Sequence, residues 1–206
     1  MTGAPEERKQ AIARATCRAI IEQGLHRVNL RDIARALGTT TGPLQHYFPS
    51  KEELLLYTKN LLIDELLQNA RDAGLKNSGL ARLRIVCERL LPFTEKSRSA
   101  WLVLAAFNGR AIGDEELTAI QVSRYSKCRK FFEKEIVLAK DEGVLDPTID
   151  VVPEAIALAS FVDGLAVHML FLRGVTKRAK QALVQRYLER NLAASRAKGS
   201  DRRNAR

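Results

Sequence analysis

Residues 29–48 read Asn-Leu-Arg-Asp-Ile-Ala-Arg-Ala-Leu-Gly-Thr-Thr-Thr-Gly-Pro-Leu-Gln-His-Tyr-Phe, from Asn29 to Phe48. Two short helices fit this stretch. Asn29 is a suitable N-cap for a helix over Leu30–Leu37, and Gly38 closes it as a residue free to take positive φ. Thr40 opens a second helix that runs through Tyr47 and stops at Pro49. Ile33, Ala34 and Leu37 give the first helix an inward face, and the small Ala34 lets the two axes approach. Leu44 and Phe48, four apart, do the same for the second helix. What remains on the second helix is Thr41, Pro43, Gln45 and His46, with Tyr47 beside them. Short polar groups of this kind reach phosphates and base edges in a major groove. The pattern is that of a helix-turn-helix, with the second helix as the reading element.

The flanking sequence is helical in both directions. Upstream, Ile12, Ala15, Ala19 and Ile20 form an apolar stripe over Glu6–Gln23, which Gly24 ends. Downstream, Ser50 and Glu53 have capping-box spacing for a helix to about Arg71. Further helices are expected over 80–91, 95–107, 114–142, 152–173 and 177–194. They are separated by Pro92, Gly109–Gly113, Gly143–Pro147 and Gly174. No alternating run supports a strand. The expected fold is all-α: a three-helix DNA-binding domain over 1–52, a larger helical domain over 53–195, and a basic disordered tail over 196–206.

The chain has 206 residues and a formal net charge of +10. The tail carries +4 of that charge, and residues 1–52 carry only +3. The charge excess suits attraction to a polyanion but does not by itself identify a reading surface. The three cysteines, Cys17, Cys87 and Cys128, form no disulfide framework and have no zinc-ligand spacing, so no metal or other cofactor is expected. The first residues show no apolar signal core, and a cytoplasmic protein is expected. Residues 155–172 approach the length of a membrane span, but Asp163, Gly164 and His168 argue instead for a helix buried in a core or subunit interface.

The motif Leu30-Arg-Asp-Ile-Ala-Arg-Ala-Leu-Gly38, followed by Thr41-Gly-Pro-Leu-Gln-His-Tyr-Phe-Pro-Ser-Lys-Glu-Glu-Leu-Leu55, resembles the DNA-binding domain of the TetR family of bacterial regulators. The resemblance spans about residues 8–55. It implies an all-α homodimer that binds double-stranded DNA through its N-terminal helices and a small-molecule effector through a divergent helical domain. It also implies roles. Asn29 sits where a phosphate contact is usual, and Thr40 and Thr41 open the recognition helix. Gln45 and His46, next to Pro43, face bases, while Tyr47 and Lys51 hold the backbone. The chain departs from the family pattern at Thr39, usually Val, and at Gln45, often Tyr. In the C-terminal half, Ala100-Trp101-Leu102 and Phe161-Val-Asp163-Gly164-Leu165 resemble the choline-responsive BetI-like branch.

A symmetric dimer fits an inverted-repeat operator. Ala157, Ser160, Gly164 and Val167 supply small residues at near-helical spacing for a dimer face, the alternative being that they line the protomer core. Candidate effector contacts are Trp101, Phe107, Tyr125 and Phe131, with Phe132, Phe161 and Phe171 as further aromatics. Such rings can cage a quaternary ammonium or simply fill a core. Asp163 and His168 are candidate polar contacts, with Glu88 and Glu95 weaker. An enzyme is disfavoured: there is no phosphate-binding Gly-rich loop, no metal cluster, and only His26, His46 and His168 among histidines. A basic helical protein bound to RNA or membrane is disfavoured too, lacking an aromatic RNA signature or a lipidation motif.

Overall fold

The computed structural model describes residues 5–113, 115–172 and 174–193. The basic tail at 196–206 lies outside the described residues. Among the described residues nine α-helices follow one another: α1 (Pro5–Gln23), α2 (Leu30–Ala36), α3 (Thr41–Tyr47), α4 (Lys51–Gly74), α5 (Gly79–Leu90), α6 (Glu95–Ala111), α7 (Glu115–Asp141), α8 (Val151–Phe171) and α9 (Lys177–Asn191). Among the described residues the extended pairing is a single antiparallel bridge between Leu145 and Ala193.

Two apolar clusters organise the chain. The first gathers α1 to α3 and the start of α4 around Ile12, Ile20, Ile33, Leu44, Phe48 and Leu54. The second packs the rest of α4 with α5, α7, α8 and α9, and includes Ile63, Leu83, Phe132, Ile136, Leu158 and Val184. The division falls inside α4, since Leu55 belongs to the first cluster and Ile63 to the second. Helix α6 enters both, with Val103 and Phe107 in the first and Trp101 and Leu104 in the second.

The short helices begin and end where local chemistry dictates. The Asn29 side chain accepts a hydrogen bond from the Asp32 amide at 3.0 Å and so starts α2. At the other end Gly38 has φ +65°. The Gly38 amide donates to the Arg35 carbonyl at 3.0 Å and the Thr39 amide to the Ala34 carbonyl at 3.0 Å. This pair of hydrogen bonds forms a Schellman turn, which satisfies two carbonyls and redirects the chain into α3. The Ser50 hydroxyl accepts from the Glu53 amide at 3.1 Å at the head of α4. Thr40 stands at the N-cap position of α3, but its side chain makes no capping bond.

Helix α6 runs past the expected end at Phe107, through Gly109 to Ala111. A glycine inside a helix costs about 1 kcal/mol. Burial of Ala111 against Leu117 and Ile120 offsets this, and the Thr118 hydroxyl donates to the Ala111 carbonyl at 2.8 Å. The turn comes instead at Gly113, with φ +87°. Likewise α4 continues to Gly74 because Ala70 and Gly74 are buried, Gly74 against Val86 and Arg82.

The turn at Gly38 gives a clean test. Beyond its two chain neighbours no atom lies within 4 Å of the place a Cβ would occupy, so a substitution meets only the backbone penalty. Gly38→Ala is expected to lower stability by about 1–2 kcal/mol in urea unfolding, with Gly38→Asn costing less.

Candidate functional site

The outer face of the helix-turn-helix is assembled by opposition. Leu44 is wholly buried and Phe48 nearly so, pinning α3 against α1 and α2. This turns Gly42, Pro43, Gln45 and His46 to solvent, with Thr40 exposed at the helix start and Thr41 half-buried. Tyr47 is half-buried, and its hydroxyl accepts a 2.9 Å hydrogen bond from Arg8 Nη1 on α1. The His46 and Tyr47 rings meet edge to face at 5.4 Å. Lys51 is half-buried in the first turn of α4. Asn29 is exposed, but its amide is engaged locally: Nδ2 donates to the Asp32 carboxylate at 2.6 Å. Arg8 is a polar partner that sequence reasoning did not single out. It stands 39 positions from Tyr47, and no periodicity links the two.

The interior of the larger domain holds an unusual group of charges. Arg124 on α7 has a side chain only 2% exposed, and its Nη2 donates to both carboxylate oxygens of Asp163 on α8, at 2.8 and 2.9 Å. Its Nε and Nη1 are buried with no hydrogen-bond partner. The guanidinium lies 4.8 Å from the Tyr125 ring centre and 5.8 Å from that of Trp101. Burial works against the Arg124 charge, but Asp163 holds its pKa above the ordinary arginine value. Burial raises the Asp163 pKa, with Arg124 opposing. Lys59 on α4 is buried too. It donates to the Gln121 side-chain carbonyl, and the Gln121 amide donates to Asn108. Burial, helped by Arg124, pulls the Lys59 pKa down to about 8.

A cavity of about 30 Å³ lies beside Arg124 and Asp163, lined also by Leu66, Trp101, Cys128 and Phe132. That volume admits one or two waters and not a drug-sized molecule.

The aromatic and polar candidates separate in space. Trp101 and Phe132 line this cavity, and Asp163 does so as the partner of Arg124. Phe131 is buried nearby but lines an open groove between α4 and α7. Phe107 belongs to the cluster beneath the helix-turn-helix, under the Lys59 ammonium at 5.7 Å. Tyr125 is half exposed, and its ring abuts the outer side of Arg124. Phe161 stacks on Tyr187 at 4.0 Å between ring centres. Phe171 is 75% exposed, and His168 is also at the surface. Asp163 and His168 thus occupy different sides of α8, as five residues of helix require. Of these two candidate polar contacts, only Asp163 lines the cavity.

Helix α8 is apolar and long enough to span a membrane by length and composition. One side, Ala155, Leu158, Val162, Ala166 and Met169, is buried in the core, and Asp163 has its cation. On the other side Ala157, Ser160 and Gly164 are exposed, with Val167 half-buried. The reading in which these small residues line the protomer core fails for the first three. Burial raises the pKa of all three thiols, with Cys17 and Cys128 both pushed up to about 11, so none is a poised thiolate.

An all-α chain that presents a helix-turn-helix on one small core and carries a larger helical domain with a buried charged cavity defines a class: the helix-turn-helix regulators with a separate sensing domain. The comparisons narrow the class. Residues 12–58 match the family described as bacterial regulatory proteins, tetR family, and residues 79–193 match the BetI-type transcriptional repressor, C-terminal. The chain belongs to the TetR family of transcriptional regulators, in its BetI-like branch. It is 30% identical over 190 residues to the HTH-type transcriptional regulator BetI of Agrobacterium fabrum, covering 90% of this chain and 88% of that one. It is 28% identical over 185 residues to the HTH-type transcriptional regulator PksA of Bacillus subtilis, covering 87% and 88%. A TetR-family regulator structure from Rhodococcus sp. superposes with a TM-score of 0.81 at 20% identity, over 89% of this chain and 97% of that one. A regulator from Saccharomonospora viridis in complex with choline does so at 0.78 and 22%, over 91% and 98%. The protein is a DNA-binding transcriptional regulator and not an enzyme.

The buried lysine makes stability depend on pH in a defined direction. Between its folded pKa of about 8 and the ordinary lysine value of 10.5, the unfolded chain holds a proton that the folded chain sheds. Stability therefore rises with pH across that window. Urea unfolding at pH 7.5 and pH 9 is expected to show this rise for the native chain relative to Lys59→Met, which lacks the group. An equal response in both proteins would remove Lys59 as its source.

Proposed function

We propose that the protein acts as a homodimeric repressor that binds an inverted-repeat operator and leaves it when a small-molecule effector enters the helical domain. The observation that carries the DNA side is the contrast on α3. Leu44 has no exposure, while Gln45 and His46 beside it are exposed, so the helix is anchored by one face and free to read with the other. In this reading residues 1–52 bind DNA and residues 53–195 sense and dimerise. Gln45, His46 and Pro43 meet base edges, with Thr40, Thr41 and Lys51 on phosphates. Tyr47, tethered to Arg8, holds the backbone. Asn29 fixes the start of α2 beside the duplex. The work belongs in the cytoplasm, where the DNA lies.

The dimer face assigned here is the outer side of α8 and α9. Ala157, Ser160 and Gly164 allow close helix approach, and Ile156 on α8 and Leu183 on α9 are each more than 40% exposed. A four-helix bundle across a twofold axis would cover this surface and set the recognition helices about 34–36 Å apart. The coupling route is physical. Helix α4 lines the cavity with Ile63, Leu66 and Leu67 and carries Lys51 at its other end. Helix α6 offers Trp101 and Leu104 to the cavity and Val103 and Phe107 to the core under α3. A ligand that enlarges the cavity moves both helices. To switch the protein it must favour the non-binding arrangement by several kcal/mol. The choline held by the Saccharomonospora viridis regulator supports a small-molecule effector for this chain.

Fluorescence anisotropy with an inverted-repeat duplex from upstream of the protein's own or an adjacent gene, against a scrambled duplex, tests the reading. Equal affinity at physiological salt would end it. Lys51→Ala is expected to weaken all duplexes alike and to reduce the salt slope by about one. Gln45→Ala is expected to change preference at particular base pairs, by about 1–3 kcal/mol per affected contact.

For the dimer face, Ser160→Arg with Gly164→Arg is expected to give a folded monomer in light scattering, with helix content retained because both positions are at the surface. A dimer unaffected by both arginines would move the interface elsewhere.

A further inference from the structure

We propose that the effector is an apolar carboxylate, its head group received by the buried guanidinium of Arg124 and its tail by the wall of the cavity between α4, α6, α7 and α8. This rests on the reading above that the cavity is the sensing site.

Three observations converge on the charge of the ligand. First, Arg124 lines the cavity with its side chain almost wholly buried, and two of its three nitrogens have no hydrogen-bond partner. A buried donor without a partner carries a standing cost, larger when it is charged, and a ligand oxygen removes it. Second, near the cavity two cations, Arg124 and Lys59, face the one carboxylate of Asp163, the buried Glu135 being paired with Arg82 away from the cavity lining. Lys59 donates to the neutral side chain of Gln121 and lies over the Phe107 ring. An incoming anion balances this region, whereas an incoming cation adds a third positive charge where water cannot screen it. Third, the aromatic faces that would cage a quaternary ammonium are already occupied. Trp101 and Tyr125 flank the Arg124 guanidinium at 5.8 and 4.8 Å, so the protein supplies its own cation to them.

The rest of the lining sets the body of the ligand. Leu66, Leu67, Leu104, Phe132 and Val162 offer only apolar surface. At about 30 Å³ the cavity has little free room, so entry of a tail of several carbons must part α4 and α6 from α7 and α8. The apolar tail thus supplies the opening and the carboxylate the selection.

The test is a thermal-shift and calorimetric series on the full chain with matched ligands: straight-chain carboxylates from butanoate to decanoate, phenylacetate, octanol and octyltrimethylammonium. At least one carboxylate is expected to raise the melting temperature in a dose-dependent way, with octanol weaker and the ammonium twin inactive. Arg124→Met alone strands Asp163, so the informative variant is Arg124→Met with Asp163→Leu. It is expected to bind the carboxylate at least about tenfold more weakly while octanol affinity changes little. Tighter binding of the ammonium twin, equal carboxylate affinity in the native chain and the double variant, or no response to any carboxylate would each overturn the proposal. Operator binding without ligand is measured in parallel. Its loss counts against the regulator reading, while intact operator binding with no carboxylate response counts against this inference alone.

Discussion

Helix α6 is shared between two apolar cores, and it cannot satisfy one without fixing the other. Val103 and Phe107 complete the cluster beneath α1 to α3, and Trp101 and Leu104, on neighbouring turns, complete the cluster of the larger domain. Protein interiors are close-packed and transmit displacement instead of absorbing it. A shift of α6 large enough to open the cavity must therefore be felt at Phe107. Helix α4 imposes the same restriction over a longer reach, running unbroken from the recognition end to the cavity wall. Polar ties at the surface reinforce the pairing: Glu65 on α4 binds Arg14 of α1 at 2.9 Å and Lys96 of α6 at 3.1 Å. These exposed pairs add little stability. What they do is keep three helices in one orientation.

The interior electrostatics follow from the same geometry. Asp163 sits on the buried side of an apolar helix and must find a cation, which α7 supplies. Arg124 is held by one nitrogen only, so the pair is incompletely satisfied. Buried charges of this kind contribute little net stability and are costly to break singly.

The sequence made the DNA-binding half legible because its signals are local. Asn29, Gly38 and Ser50 act on residues within a turn of themselves, and Leu44 and Phe48 are related by helical period alone. The one local miss, the silent hydroxyl of Thr40, concerns a single bond within a correctly placed helix. The sensing half was legible as helices but not as a site. Phe107 and Trp101 lie six residues apart and look equivalent in a string, yet they end in different cores. Asp163 announced that it needed a partner, but nothing in the sequence chose Arg124 among 34 basic residues. Gly109 reads as a helix end because what carries the helix past it, the burial of Ala111 against Leu117 and Ile120, comes from packing across to α7.

The uncovered apolar surface of α8 and α9 has a consequence for how much protein a cell must make. Ile156, Phe171 and Leu183 keep apolar surface in water on an isolated protomer. Any association that covers this surface adds stability that scales with concentration, because partners are bound by the native chain and not by the unfolded one. Dilution then weakens the fold itself and not only the assembly. A scarce chain would be cleared by proteolysis faster than an abundant one, so the folded population falls more steeply than the rate of synthesis does.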